Sequence, residues 1–221
     1  MSINVAIDGP AGAGKSTIAK RVAKEKGYIY VDTGAMYRAM ALYFIRKEID
    51  AKDEEKINEA CIDADISIAY EDGIQVVLLN GENVNGLIRT EQVGNMASAT
   101  SVYGNVRKKL VELQQKLAAK ENVVMDGRDI GTVVLPDAEV KVYLTASSAE
   151  RAKRRFLELQ AKGEEADIVK IEKDIIERDH RDMTRDISPL KQADDAILVD
   201  SSDMTIDEVV DKIMSLIDKV N

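Results

Sequence analysis

The segment GPAGAGKST at residues 9–17 limits the possible folds of this chain more than any other feature. It fits the pattern G-x-x-x-x-G-K-[ST], in which glycines let the backbone curl until successive N–H groups point at phosphate oxygens. A β-branched strand is predicted just before it, at residues 3–8, and a helix follows to about residue 24. A plain glycine-rich turn is the alternative, but the order of strand, loop and helix favours a phosphate-binding loop.

The residues of this loop have separate expected roles. The N-terminus of the following helix adds partial positive charge to the N–H groups that face the phosphates. Lys15 is expected to bridge the β- and γ-phosphates, and the Ser16 hydroxyl to ligate Mg²⁺. We therefore predict that a nucleoside triphosphate with Mg²⁺ binds to Gly9, Pro10, Ala11, Gly12, Ala13, Gly14, Lys15, Ser16 and Thr17.

Short apolar strands alternate with helices along most of the chain. Because strands separated by helices pair in parallel through right-handed crossovers, this alternation predicts an α/β fold. The expected architecture is a five-stranded parallel sheet with helices on both faces. The strands are predicted at residues 3–8, 28–32, 122–126, 140–144 and 196–200. Helical patterns after the first helix are predicted at residues 35–47, 53–63, 91–118, 148–161, 167–185 and 205–220.

Residues 65–89 have a different pattern from the rest of the chain. Two alternating runs, ISIAY and IQVVLL, are separated by the turn EDG, and the turn NGEN follows them. Alternating runs joined by such turns are typical of β-hairpins. We predict a small antiparallel insert within a single domain.

Composition excludes several kinds of partner. Acidic residues outnumber basic ones by 40 to 31, the net charge is −9, and the chain has no Trp and two Phe, which disfavours a nucleic-acid surface. Cys61 is the single cysteine of the sequence, so an internal disulfide and a cysteine zinc cluster are excluded. The N-terminus lacks a secretion signal, and no apolar run reaches the ~18 residues of a membrane span. We expect a cytoplasmic protein that binds neither nucleic acid nor membrane.

The arginine pattern narrows the class of nucleotide-binding protein. The guanine-reading pattern N-K-x-D of GTPases is absent, whereas a small-molecule kinase needs a second anion site lined by arginines. Ion pairs on two solvated helices, such as Glu150–Arg154, are the alternative, but in an acidic chain an anionic ligand explains two arginine faces better. The faces follow helical spacing and comprise Arg151, Arg154 and Arg155 on one helix and Arg178, Arg181 and Arg185 on the next.

Two polar segments follow predicted strands directly. They are DTGAMYR at residues 32–38 and DGRD at residues 126–129. Ligands of open α/β sheets bind beyond the carboxyl ends of the strands, so we predict that both segments lie at the ligand edge. Helix capping by Asp and the common Asp-Gly turn are the alternatives. Two such segments at one edge favour a functional role.

Taken in order, these motifs resemble the bacterial cytidylate kinases, a family of nucleoside monophosphate kinases. The similarity covers nearly the whole chain, and residues 126–138 (DGRDIGTVVLPDA) carry its most specific segment. It implies phosphoryl transfer from ATP to CMP or dCMP, giving ADP and CDP or dCDP in pyrimidine nucleotide metabolism, with Mg²⁺ required. The other similar segments are residues 9–17, 32–38, 65–89, 88–98 (IRTEQVGNMAS), 106–107, 147–155 (SSAERAKRR) and 177–190 (ERDHRDMTRDISPL).

The resemblance also implies how the chain is organised. A core would comprise about residues 1–60, 90–147 and 187–221, with a monophosphate-binding insert at about 61–89 and a lid at about 148–186. Arg154 would belong to the lid over ATP. A monomer is expected, because closure of a lid needs free movement.

Further site residues follow from the matched motifs. Arg38 and Arg128 would hold the acceptor phosphate, and Arg178, Asp182 and Arg185 would hold the sugar and close near the phosphates. Ser98, Arg107 and Asp129 would read the cytosine, and Thr33 would also contact CMP. The residues implied to be catalytic are Lys15, Arg128, Arg178 and Arg185.

The chemistry of the base-reading residues agrees with this implication. A carboxylate such as Asp129 can accept from the 4-amino group of cytosine, while Arg and Ser can donate to its N3 and O2 atoms. Two alternatives remain open at this point. One is a kinase for another small acceptor, such as UMP or a non-nucleotide metabolite; the other is a non-catalytic P-loop regulator.

Overall fold

Strands and helices alternate through the chain as the sequence predicts. A computed structural model describes residues 2–71 and 74–220. The strands in these residues are β1 (Asn4–Asp8), β2 (Ile29–Asp32), β3 (Ile66–Glu71), β4 (Ile74–Leu79), β5 (Glu82–Asn83), β6 (Val123–Gly127), β7 (Val140–Thr145) and β8 (Ile197–Asp200). The α-helices are α1 (Lys15–Lys26), α2 (Thr33–Arg46), α3 (Glu54–Asp63), α4 (Glu91–Thr100), α5 (Gly104–Ala118), α6 (Ser148–Ala161), α7 (Ile168–Thr184) and α8 (Ile206–Ile217).

The strands of the described residues form two sheets. One sheet has five strands in the order β2-β6-β1-β7-β8, and the other has the order β3-β4-β5. The predicted α/β fold with a parallel sheet and a small antiparallel insert is therefore confirmed. Of the turn predicted at residues 71–73, residues 72 and 73 lie outside the described part of the chain.

The first of two compact units comprises residues 3–28 together with the chain from residue 122 onward. Strand β1 lies between β6 and β7 and is parallel to both, and β8 pairs with β7. Strands β1 and β6 bury apolar side chains on both faces, as expected for a parallel sheet that helices cover, whereas β7 carries Lys141 and Tyr143 on one face. Asp8 lies opposite Gly127 and Tyr143, so the ends of all three strands meet at the start of the phosphate loop.

The second unit comprises residues 29–121. Helix α2 is its core, because Met36, Met40 and Phe44 on this helix are fully buried. It packs against α4 and against β4 of the antiparallel sheet. Strand β4 is central in that sheet and pairs with β3 over six residues, from Ile66 opposite Leu79 to Glu71 opposite Ile74.

Two local features were not predicted. The helical pattern predicted across residues 91–118 is divided, because α4 ends at Thr100 and α5 begins at Gly104. The hydroxyls of Thr100 and Ser101 donate to the carbonyl oxygens of Met96 and Ser98 at 2.9 and 3.0 Å, and such bonds compete with helix continuation. The second feature is a π-helical turn at Ile130–Val134, a rare element that is frequent at functional sites.

The helices of residues 2–71 and 74–220 include none that is both long enough and apolar enough to cross a lipid bilayer.

Candidate active site

The phosphate loop of the first unit has the backbone that its glycines predict. Gly9 has a φ of 148°, and a Cβ atom there would overlap the carbonyl oxygen of Leu144. Gly14 has a φ of 86° and caps α1 without a side-chain hydrogen bond. The first N–H groups of α1 are therefore exposed to a ligand rather than satisfied by a capping side chain, as an anion site requires.

Lys15 lies at the centre of this loop. Its Nζ donates to the carbonyl oxygen of Pro10 at 2.7 Å, and the residue is only 6% exposed. The pKa of Lys15 is lowered to about 7, chiefly by burial and then by the nearby Arg128, while Asp126 and Asp8 act in the opposite direction. A bound phosphate would add negative charge and would favour the protonated lysine.

Ser16 faces a carboxylate from a neighbouring strand. Its Oγ donates to Oδ2 of Asp126 at 2.9 Å, and Asp126 is buried at the end of β6. A hydroxyl and a carboxylate beside a phosphate loop are the oxygen donors that Mg²⁺ takes in nucleotide sites, together with phosphates and water. Asp126 was assigned no role from the sequence. Its position at the carboxyl end of a buried strand, where ligands of α/β sheets bind, could have identified it as a site residue.

Asp8 connects the phosphate loop to the segment that follows β6. Its two carboxylate oxygens accept the backbone N–H groups of Ile130 and Gly131 at 2.8 and 2.7 Å. Burial raises the pKa of Asp8 to about 6, although these two hydrogen bonds oppose the shift. The π-helical turn after Asp129 is thereby held against the last residue of β1, directly before the loop.

Four of the predicted acceptor residues of the first unit come together in the structure. Arg128 Nε donates to Asp182 Oδ2 at 2.8 Å, and Arg185 lies 3.9 Å from Asp129 Oδ1. Burial acts to raise the pKa of Asp182, but Arg128, with Arg178 and Arg185, outweighs it and holds that pKa below its usual range. Arg178 thus belongs to the same cluster of charged side chains. The members of this cluster come from two separate motifs, at residues 126–138 and 177–190.

The arginines of α6 have distinct places. Arg151 is buried; it donates to the carbonyl oxygen of Ala11 at 2.9 Å and pairs with Asp179 of α7 at 2.6 Å. Arg154, which the resemblance implied as an ATP contact, donates to the carbonyl oxygen of Ser201 at 2.6 Å. Arg151 therefore contacts the phosphate loop, whereas Arg154 contacts Ser201; helical spacing alone had placed both arginines on one face without distinguishing them.

In the second unit, Arg38 and Arg89 share one carboxylate. Arg89 lies 2.6 Å from Asp32 Oδ2, and Arg38 lies 3.3 Å from the same oxygen. Asp32 also caps α2 by accepting the N–H of Ala35 at 2.8 Å. Thr33 follows Asp32 and is buried at the start of that helix. Sequence reasoning missed Arg89, although it lies within the matched segment 88–98.

The two predicted base-reading residues of the second unit are both enclosed. Arg107 is buried; it donates to the carbonyl oxygen of Ser101 at 3.1 Å, and its guanidinium lies 5.6 Å from the ring centre of Tyr37. The Ser98 hydroxyl oxygen is buried and makes no hydrogen bond within residues 2–71 and 74–220. A buried hydroxyl of this kind can bond to a ligand at little extra desolvation cost.

The parallel sheet, the phosphate loop and the arginine clusters define the class of P-loop kinases. The structure of shikimate kinase from Bacteroides thetaiotaomicron has the same fold, with a TM-score of 0.51 and 14% identity over 98% of each chain. Residues 5–219 match the family model described as cytidylate kinase.

Curated relatives agree with that match over nearly the full length. A cytidylate kinase of Caldicellulosiruptor saccharolyticus is 54% identical over 218 residues, which cover 99% of this chain and 96% of the relative. A cytidylate kinase of Lactobacillus johnsonii is 53% identical over 217 residues, which cover 98% and 94%. The chain belongs to the cytidylate kinase family.

Proposed function

We propose that this protein transfers the γ-phosphoryl group of ATP to CMP, and also to dCMP, giving ADP and CDP or dCDP in pyrimidine nucleotide metabolism. The observation that carries the proposal is the match to cytidylate kinases over residues 5–219 in a chain whose phosphate loop is intact. A non-catalytic regulator is not favoured, because Lys15 and Ser16 are both present, with Lys15 bonded to the loop at Pro10 and Ser16 bonded to Asp126.

The donor binds at the phosphate loop. Its phosphates accept from the backbone N–H groups that begin α1, and Lys15 turns from Pro10 to the β- and γ-phosphates. Arg151 keeps the loop in place through Ala11. The Ser16 hydroxyl, with Asp126 nearby, would hold Mg²⁺, which would supply charge neutralisation at the phosphate oxygens.

The acceptor residues fall into three groups, one each for the phosphate, the sugar and the base of CMP. Arg38 and Arg128 bind its phosphate, and Asp182 with Arg178 and Arg185 binds its sugar. Ser98, Arg107 and Asp129 read the base. The burial of Ser98 Oγ and of Arg107 supports this assignment, because base discrimination needs polar groups that lose water when the wrong base enters.

Catalysis needs position and positive charge. The acceptor phosphate is already a competent nucleophile, so no general base has to remove a proton from it. Lys15, Arg128, Arg178 and Arg185 stabilise the charge that spreads over the transferred phosphoryl group. Asp182 holds Arg128 in orientation before the substrates arrive, and the carbonyl oxygen of Ser188 accepts from Arg185 Nε at 2.7 Å.

We further propose that α6 and α7, within residues 148–186, act as a lid, and that residues 61–89 are the monophosphate-binding insert. Helices α6 and α7 pack on each other and carry five of the twelve arginines, and a sixth, Arg185, directly follows α7. Such helices can close on phosphates and exclude water from the transferring group.

The decisive experiment measures ADP release from ATP with CMP, dCMP, UMP, AMP and shikimate in parallel. We expect turnover with CMP and dCMP at least about tenfold above that with UMP in kcat/KM, since one mismatched buried group costs about that much. ATP without an acceptor is the blank. Faster turnover with UMP, AMP or shikimate, or no release above the blank, would contradict the proposed function.

A further inference from the structure

The carboxylate of Asp32 makes two unequal bonds to arginine in the second unit. Arg89 lies at 2.6 Å from Oδ2, whereas Arg38 lies at 3.3 Å from Oδ2 and 3.5 Å from Oδ1. Oδ1 accepts the N–H of Ala35 at 2.8 Å. The shorter bond to Arg89 is the stronger one, because charge-assisted N–H···O bonds are optimal at about 2.7–2.9 Å and weaken beyond that.

Asp32 and Arg89 differ in their exposure to solvent. Asp32 is 5% exposed, while the Arg89 side chain is 56% exposed. A buried carboxylate needs a counter-charge, so Asp32 attracts whichever guanidinium can reach it. Burial acts to raise the pKa of Asp32, and Arg38 and Arg89 outweigh it, so this carboxylate stays ionised.

The position of Asp32 is fixed from the antiparallel sheet. The Asp32 N–H donates to Gln75 Oε1 at 2.7 Å, and Gln75 Nε2 donates to the Asp32 carbonyl oxygen at 3.3 Å. Gln75 is buried on β4. Its side-chain amide bonds to both backbone groups of Asp32, as the backbone of a neighbouring strand would. The carboxylate therefore stays in one place while the two arginines compete for it.

We propose that Arg89 is a positioning residue that serves as the counter-ion of Asp32 and thereby leaves the Arg38 guanidinium able to turn to the phosphate of a nucleoside monophosphate. This inference rests on the proposed function. Without Arg89, the buried carboxylate would draw Arg38 into the short bond. The acceptor would then have to break that bond before it could bind.

The first test is Arg89→Met, which removes the charge from an exposed side chain. We expect the KM for CMP to rise about tenfold, as loss of a charge-assisted bond does, while kcat and the KM for ATP stay within about twofold. Arg46→Met is the matched control, because Arg46 also pairs with a carboxylate, Glu82, in the same unit. An unchanged KM for CMP in Arg89→Met would overturn the inference.

A double-mutant cycle separates this role from direct contact between Arg89 and the phosphate. Asp32→Asn removes the competing charge, and Asn can still cap the Ala35 N–H. In that background Arg89→Met should change the KM for CMP by less than about twofold. A persisting tenfold loss would mean that Arg89 binds the phosphate itself, and the counter-ion role would be wrong.

A second cycle uses Arg38→Met, so the answer does not depend on the folding of Asp32→Asn. If Arg89 acts through Arg38, adding Arg89→Met to Arg38→Met should change the CMP dissociation constant by less than about twofold. An additive loss would overturn the inference. A wild-type protein that releases no ADP with CMP would contradict the proposed function instead, which keeps the two failures distinct.

Discussion

The Lys15 ammonium group donates to the carbonyl oxygen of Pro10 at 2.7 Å, so this lysine is turned back onto its own loop. The bond satisfies a buried charge while the loop holds no phosphate. Lys15 has to leave Pro10 to reach a triphosphate. In the proposed mechanism its charge then acts on the transferred group rather than on the loop.

Lys15→Ala should abolish turnover while the fold remains. Lys15 neutralises charge that develops in the transition state, so kcat should fall at least about 100-fold. Lys20→Ala, at an exposed position of the same helix, is the control and should keep wild-type kcat. Circular dichroism checks the fold. A variant that keeps more than about a tenth of wild-type kcat would show that Lys15 is not catalytic.

ATP binding should take up a proton above neutral pH. The pKa of Lys15 is about 7 in the free protein, so the lysine is largely neutral at pH 8, and bound phosphates raise that pKa again. The affinity for ATP should therefore weaken as pH rises from 7 to 9, by up to about tenfold per pH unit.

Titration calorimetry in two buffers of different ionisation enthalpy measures this uptake directly. At pH 8 the wild type should show a buffer-dependent binding enthalpy, and Lys15→Ala should show a smaller dependence. Equal dependence in the two proteins would assign the proton to another group.

Asp129→Ala should reduce discrimination between CMP and UMP. A buried carboxylate accepts from the cytosine amino group but meets a second acceptor in uracil O4, and each unsatisfied group costs about 1–3 kcal/mol. The ratio of kcat/KM for CMP over UMP should fall about 10- to 100-fold. Asp129 also lies 3.9 Å from Arg185. If both activities drop together and the ratio stays within about twofold, Asp129 holds this arginine rather than reading the base.

Helices α6 and α7 should become protected when both nucleotides are bound. Bound phosphates would give the arginines of these helices additional partners, so the lid should exchange amide hydrogens faster without ligand. Hydrogen exchange with and without a bisubstrate analogue measures the difference, and α8 serves as the internal reference that should stay unchanged. Equal exchange of α6 and α7 in both states would indicate that these helices are rigid and do not act as a lid.

Sequence reasoning worked best where the determining interactions are local. The strands, the phosphate loop and the antiparallel insert each follow from short runs of apolar periodicity or from glycines. It failed between α4 and α5, because the hydroxyls of Thr100 and Ser101 are compatible with a helix and end it only by bonding to the preceding turn. The π-helical turn at Ile130–Val134 was missed because its N–H groups are held by Asp8, which is 122 residues away from Ile130 in the chain.

The amino-acid sequence by itself determined that a phosphate loop follows the first strand, and that Lys15 and Ser16 lie where this loop meets the following helix. Only the tertiary structure decided which carboxylate faces Ser16 and which of three neighbouring arginines touches Ala11. It also decided that Arg89 shares Asp32 with Arg38. The pairs Ser16–Asp126, Arg151–Ala11 and Arg89–Asp32 join residues 57 to 140 positions apart. Arginines are chemically identical in the sequence, so only chain packing decides which guanidinium lies within hydrogen-bond distance of a given partner.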